Sequence, residues 1–252
     1  MTPSFFAFGC SFTAFGWPTW ADLVGTRFPD NYYNYGRAGA GNFYIFQRLI
    51  HAHAMQTITK DDLVIIQWSG TMREDRYIDG RWITPGGLFN YYPKEYIEKY
   101  VSDRGFLIRD LTLITAAKTI LDNIGCDYHF ISIGPIVNKN ELWGDGIADV
   151  EDLIATYKDT LAVIKPSYIE VLGTNYYPRI VGGGNIEITD AHPVPGEHHR
   201  YLQKVLPHLV PSDENLGLKL DKLLANIWHT NYKGWDYHWP LDRGFENIVK
   251  DL

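Results

Sequence analysis

Two rhythms of apolar residues alternate along this chain. Unbroken apolar stretches at 5–8 (Phe-Phe-Ala-Phe) and 63–66 (Leu-Val-Ile-Ile) have the length of strands buried on both faces. Residues 127–133 read as another strand, stopped by Gly134-Pro135, and 32–35 as a short aromatic one. Residues 168–172 suggest one more. Between these stretches the spacing changes to that of helices. Trp17, Trp20, Val24 and Phe28 share a helical face, with Pro18 in the first turn and Pro29-Asp30 as the stop. Asn42 is expected to cap a helix over 43–54 that carries Ile45, Leu49 and Ile50 on one side. Leu107, Leu111, Ile114, Ala117, Leu121 and Ile124 mark a long helix over 107–124, and 149–164 and 196–206 read as two more. Residues 77–105 look irregular and are read as an insertion or lid. Residues 207–252 form an aromatic-rich extension.

Strands alternating with helices predict an α/β protein with a mostly parallel sheet covered on both faces. At 252 residues one domain spanning 1–252 is the first expectation. Aromatic residues make up 15 % of the chain, with 17 Tyr and 8 Trp, many in polar surroundings such as Tyr91-Tyr92 and 235–239. Rings of that kind suit a groove for a sugar, and equally suit packing. The net charge of −7 argues against a general nucleic-acid binder. Cys10 and Cys126 are too few for a disulfide framework, so a reducing compartment is expected. No basic segment precedes the first apolar stretch, so no signal peptide is read. No apolar run reaches the roughly 18 residues of a membrane span, and the expected location is cytoplasmic.

The candidate chemistry lies where strands end. Gly9 closes the first apolar run and Ser11 follows, at the edge where open α/β sheets bind ligands. A serine there can serve as a nucleophile if a histidine reaches it, or can simply cap a helix. Gly36, Gly39 and Gly41 precede the 43–54 helix, and such a loop offers unpaired amides to an anion or an oxyanion. The glycine spacing and the lack of a following Gly-Lys-Ser/Thr disfavour a phosphate site. Asp190 and His192 are two residues apart before Pro193, and extended geometry there would place both side chains on one side. Asp190, His192, His198 and His199 could alternatively hold a metal, although adjacent His198 and His199 would diverge on a helix. His51 and His53 read as surface residues, and Cys10 as a small buried filler.

The block 8–13 (Phe-Gly-Cys-Ser-Phe-Thr) resembles the nucleophile block of the SGNH (GDSL-like) hydrolases. Residues 34–39 resemble the second block of that family, and Asp190-Ala191-His192-Pro193 resembles the last. Gly196-Glu197-His198 is similar to the Gly-x-His that often opens the final helix. The resemblance covers residues 4–206 in the right order and implies a three-layer α/β/α fold with a flavodoxin-like central sheet. It implies a Ser11, His192, Asp190 triad, with the amides of Ser11 and Gly39 in an oxyanion hole and no cofactor.

Two departures stand out. The family's third block is usually Gly-x-Asn-Asp, whose asparagine completes the oxyanion hole, whereas this chain has Trp68-Ser69-Gly70-Thr71. A hydroxyl from Ser69 or Thr71, or the charge of Arg73, would have to substitute, and Thr71 is preferred. Trp68, Ser69 and Arg73 are expected to line the substrate site. The Asp-x-His spacing is also one residue shorter than the usual Asp-x-x-His. The resulting expectation is a serine esterase acting on an O-acyl group, with an acetylated carbohydrate or another small ester as substrate. The alternatives are an O-acyltransferase with the same triad and a carbohydrate-binding protein that keeps the fold without the chemistry.

Overall fold

The computed structural model describes residues 2–137, 150–173, 179–181, 186–188, 192–210 and 215–222. Its centre is a four-stranded, wholly parallel sheet of β1 (Phe5–Phe8), β2 (Tyr32–Asn34), β3 (Leu63–Trp68) and β6 (Asp127–Ser132). The spatial order is β2-β1-β3-β6. The chain thus leaves β1 for one side, through α1 (Trp20–Gly25), and returns to β3 on the other, through α2 (Asn42–Gln56). Strand order reverses between β1 and β3, and their carboxyl ends flank the crevice where such sheets place ligands.

The pleat explains the two cores. In β1, Phe6 and Phe8 face one side while Phe5 and Ala7 face the other. On the first side, Val64, Ile66 and Phe130 pack with Tyr44, Ile45 and Leu49 of α2 and with Leu107, Leu111, Ile114 and Leu121 of α4 (Asp103–Ile124). Val150 and Leu153 of α5 (Val150–Thr156) join them, and the short α6 (Lys158–Leu161) lies beside α4. On the second side, Leu63, Ile65 and Ile131 meet Trp20 and Val24 of α1, Tyr168 of α7 (Tyr168–Leu172) and Tyr201 and Leu202 of α8 (Pro195–Val205). Leu216 and Leu220, from a helical stretch at 215–222, complete this face. The architecture is three-layer α/β/α, as expected. Stacked pairs across β1 and β2 (Phe5 on Tyr32, Phe6 on Tyr33, then Phe8 on Tyr35) fix the register, at about 0.2–1 kcal/mol each.

Several elements differ from the sequence reading. Residues 168–172 form the helix α7 rather than a strand, because Ser167 and Glu170 make a capping box. A fifth strand is reduced to one parallel bridge between Phe130 and Ile164. The first helix begins only at Trp20, capped by Thr19, so Pro18 lies outside it. The 77–105 segment is more regular than expected. It holds a hairpin of β4 (Arg76–Ile78) and β5 (Arg81–Ile83), then α3 (Lys94–Tyr100) and the first turn of α4. A second hairpin pairs β7 (Arg179–Val181) with β8 (Ile186–Ile188). The aromatic residues expected at 223–252 lie outside the described residues, and no described helix is long and apolar enough to cross a membrane.

Candidate active site

Beyond β1 the chain turns sharply, with the amides of Thr13 and Ala14 both donating to the Cys10 carbonyl. Gly9 is required at this turn, because a Cβ there would collide with the Thr13 hydroxyl. That hydroxyl donates to Gln67 Oε1 of β3 at 2.8 Å, and the Thr13 carbonyl accepts from Thr19 Oγ1 and Asn34 Nδ2. The turn that carries Ser11 is therefore fixed to three neighbouring elements. Ser11 stands at its head, 8 % exposed, and Cys10 beneath it is fully buried in the first core.

His192 arrives from 181 residues away and sets Nε2 2.7 Å from Ser11 Oγ. Aromatic side chains of the Ser11 turn hold it there. Phe15 stacks on the imidazole with centroids 3.8 Å apart and planes 19° apart, and Phe12 packs at 5.3 Å. Trp17 Nε1 donates to the Pro193 carbonyl at 2.8 Å, tying the histidine segment to the serine segment. Asp221, on the 215–222 helix, accepts from the Gly196 amide at 2.8 Å and anchors the start of α8. A Cβ on Gly196 would collide with that carboxylate, which gives the glycine of the Gly-Glu-His motif its reason. Asp190 lies outside the described residues.

The glycine-rich loop joins the same edge. The Arg37 amide donates to the Gly9 carbonyl, and Asn34 Oδ1 accepts from the Gly36 amide. Gly39 has φ +73°, and a Cβ there would strike the Thr84 carbonyl oxygen. Its amide makes no hydrogen bond to another described residue. The segment after β5 braces this loop from outside, through Arg37 Nη2 to the Trp82 carbonyl and Thr84 Oγ1 to the Ala38 carbonyl.

The junction after β3 plays a different part from the one expected. Trp68 is fully buried, packed edge-on against Phe130, and presents no face to a ligand. Ser69 is fully buried too, with its amide and hydroxyl both donating to Asn42 Oδ1. These two residues belong to the core and to the loop support rather than to a substrate wall. Arg73 donates to the Ala40 carbonyl at 3.0 Å. Thr71 is half-buried, and its hydroxyl has no hydrogen-bond partner among the described residues.

Asn42 does not cap α2. Gly41 is the N-cap residue, and the capping acceptor is the carboxylate of Asp75, which takes the Gly41 and Tyr44 amides at 2.8 Å each. Asn42 instead bridges Ser69 and the buried Asp110, whose other oxygen accepts from Arg109 Nε. Arg109 in turn donates to the carbonyls of Thr71 and Arg73. One buried polar network thus joins the glycine loop, the loop after β3 and α4. Its capping partner is 34 residues away in sequence, so nothing local identifies it.

Burial pushes the Asp110 carboxyl up to about 6, against the opposing pull of Arg109 and Asn42. Between roughly pH 4 and pH 6 the folded chain holds a proton that the unfolded chain has released. Stability from this group is therefore greatest at the acid end, falls as pH rises through that window and is level above it. Urea unfolding of wild type and Asp110→Asn tests this. The wild-type advantage over the variant should shrink by about 2–3 kcal/mol from pH 4 to pH 7. A constant difference would contradict it.

Among the described residues no group of three or more His, Cys, Asp or Glu could hold a metal ion. His198 and His199 are buried in α8, His198 against the Tyr168 hydroxyl at 2.8 Å. Sequence reasoning overlooked Phe15, Trp17, Asp75, Arg109 and Asp110. Phe15 and Trp17 could have been suspected from their closeness to Ser11, whereas the charged residues carried no motif.

No protein-family model matches the chain, and no curated protein matches it by sequence. Among solved structures, the chain is similar to a protein from Desulfitobacterium hafniense DCB-2 described as lipolytic and of the G-D-S-L family. Identity there is 13 %, covering 79 % of this chain and 98 % of that one, with a TM-score of 0.43. It is also similar to Axe2, an acetylxylan esterase from Geobacillus stearothermophilus, at 14 % identity over 84 % of this chain and 97 % of that one, with a TM-score of 0.40. An arginine-to-alanine variant of Axe2 gives the same identity, coverage and score.

Proposed function

We propose that the chain is a serine esterase that works through an acyl-enzyme. The observation that carries this reading is the 2.7 Å approach of His192 Nε2 to Ser11 Oγ, at the switch point of a parallel sheet. With Nε2 unprotonated, the Ser11 hydroxyl donates to it, and attack on an ester carbonyl passes that proton to the imidazole. The Gly39 and Ser11 amides receive the oxyanion, with the Thr71 hydroxyl as the third donor in place of the family's asparagine. The imidazolium then protonates the departing alkoxide, and a water activated by the same base resolves the acyl-enzyme. Asp190 has the role of orienting the imidazole.

For the substrate we favour an O-acylated carbohydrate. The wall beside the Gly39 loop is aromatic, with Tyr77 63 % exposed and Phe43 36 % exposed around Trp82. Such rings suit the apolar faces of sugars. An O-acyltransferase would use the same residues with an alcohol in place of the water.

The test is covalent labelling with a fluorophosphonate, which reacts with an activated serine. Wild type should label at one site per chain, and peptide mapping should find the label on Ser11. A folded wild type that stays unlabelled and does not turn over p-nitrophenyl acetate would leave the fold without this chemistry.

A further inference from the structure

We propose that Asp75 is a positioning residue of the oxyanion loop, fixing the direction of the Gly39 amide through the two residues that follow it. The assignment rests on the esterase reading above. Gly39 contributes only a backbone N–H, so its usefulness depends on the orientation of one peptide plane. The next two residues are gripped from the loop after β3. Arg73 Nη1 donates to the Ala40 carbonyl at 3.0 Å, and Asp75 Oδ1 accepts from the Gly41 amide at 2.8 Å. The second carboxylate oxygen takes the Tyr44 amide, also at 2.8 Å, which joins the loop to the first turn of α2.

The fit is close. A Cβ on Gly41 would lie 2.8 Å from Asp75 Oδ2 and 2.9 Å from Arg73 Cβ, so only glycine lets the carboxylate approach this far. Asp75 is 8 % exposed, and the Gly41 and Tyr44 amides donate to it where little water competes. On the outer side the Thr84 carbonyl crowds Gly39 and the Thr84 hydroxyl holds the Ala38 carbonyl. The loop is thus confined between a braced outer wall and a carboxylate on the inner one. Burial raises the Asp75 carboxyl, while the two amides, Arg109 and Arg73 oppose that shift and favour the charged form.

A simple helix cap would also hold two amides, so the test needs a readout that capping alone would not move. Asp75→Ala, Asp75→Asn and a control cap variant, Ser102→Ala, are compared for melting temperature, kcat and KM on p-nitrophenyl acetate, and rate of fluorophosphonate labelling. Ser102 caps the start of α4 through the Gly105 amide. Asp75→Ala should lower kcat by about 10- to 100-fold with KM within about 3-fold, and slow labelling in parallel. Asp75→Asn, which can accept from only one of the two amides, should fall between it and wild type. Ser102→Ala should lose melting temperature and keep kcat. Asp75→Ala that melts earlier but retains wild-type kcat would make Asp75 only a cap and overturn the assignment. A folded wild type without labelling or turnover overturns the esterase reading, and this assignment with it.

Discussion

Ser11→Ala and His192→Ala should each reduce kcat for an activated ester by on the order of 10⁴–10⁶, and the double variant should lose no more than the worse of the two. The equality follows from the geometry. Ser11 Oγ and His192 Nε2 share one hydrogen bond of 2.7 Å, and in the proposed mechanism they act in one proton transfer. Removing either leaves the other with nothing to do. The fold should tolerate both changes. Ser11 is at a turn whose tethers run through Thr13 rather than through its own side chain, and the segment bearing His192 is held by Trp17 at the Pro193 carbonyl. Melting temperatures within a few degrees of wild type, with residual turnover equal in the two single variants and the double, are the expected result. Independent, multiplying losses would mean that the two side chains act on separate steps. Full activity in His192→Ala would remove the base from the mechanism altogether.

Gly39→Ala should lose activity and stability together, whereas Gly125→Ala should lose a little stability alone. Both glycines have positive φ, +73° and +75°. At Gly125, the αL residue that ends α4, an added methyl meets nothing within 4 Å, so the cost is the backbone preference of about 1 kcal/mol. At Gly39 the methyl strikes the Thr84 carbonyl, so the loop must shift away from the segment that braces it. The Gly39 amide, the proposed oxyanion donor, turns with it. The expected loss in kcat is about 10²–10³, the range for removing one oxyanion donor. Parallel measurement of melting and turnover on both variants separates the two effects. If both lose about 1 kcal/mol and both keep kcat, Gly39 is a turn glycine only.

The sheet was legible in the sequence because buried parallel strands are short unbroken apolar runs, and 5–8 and 63–66 have no other sensible reading. The misreading of 168–172 has a specific cause. Tyr-Ile-Glu-Val-Leu suits a strand by composition, and the preceding Ser167 with Glu170 turns it into a helix. Ser167 and Glu170 stand in capping-box spacing, while Ile169 and Val171 favour a strand by composition. Ser11, His192 and Gly39 stand out in the sequence because each follows a strand or lies in a glycine loop or a short Asp-x-His motif, and the structure brings Ser11 and His192 within hydrogen-bond reach. Trp68 and Ser69 were misplaced for the opposite reason: a strand end predicts which edge a residue lies on, but not whether its side chain points into the core. Asn42 next to a helix start reads as a cap, yet Asp75, distant in sequence, does that work and leaves Asn42 for Ser69 and Asp110. Contacts of this kind follow from tertiary packing, and no local spacing encodes them.

The distance along the chain between Ser11 and His192 has a consequence for how the protein is made. On a ribosome, synthesis proceeds from the amino end, so β1 and its serine emerge long before the segment that tethers to Trp17 and stacks on Phe15. Until α8 has emerged and Asp221 has joined the start of that helix, Ser11 has no His192 beside it. On the proposed esterase reading, the nascent chain can order much of its sheet while the serine stays chemically inert, and reactivity waits for the docking of the His192 segment.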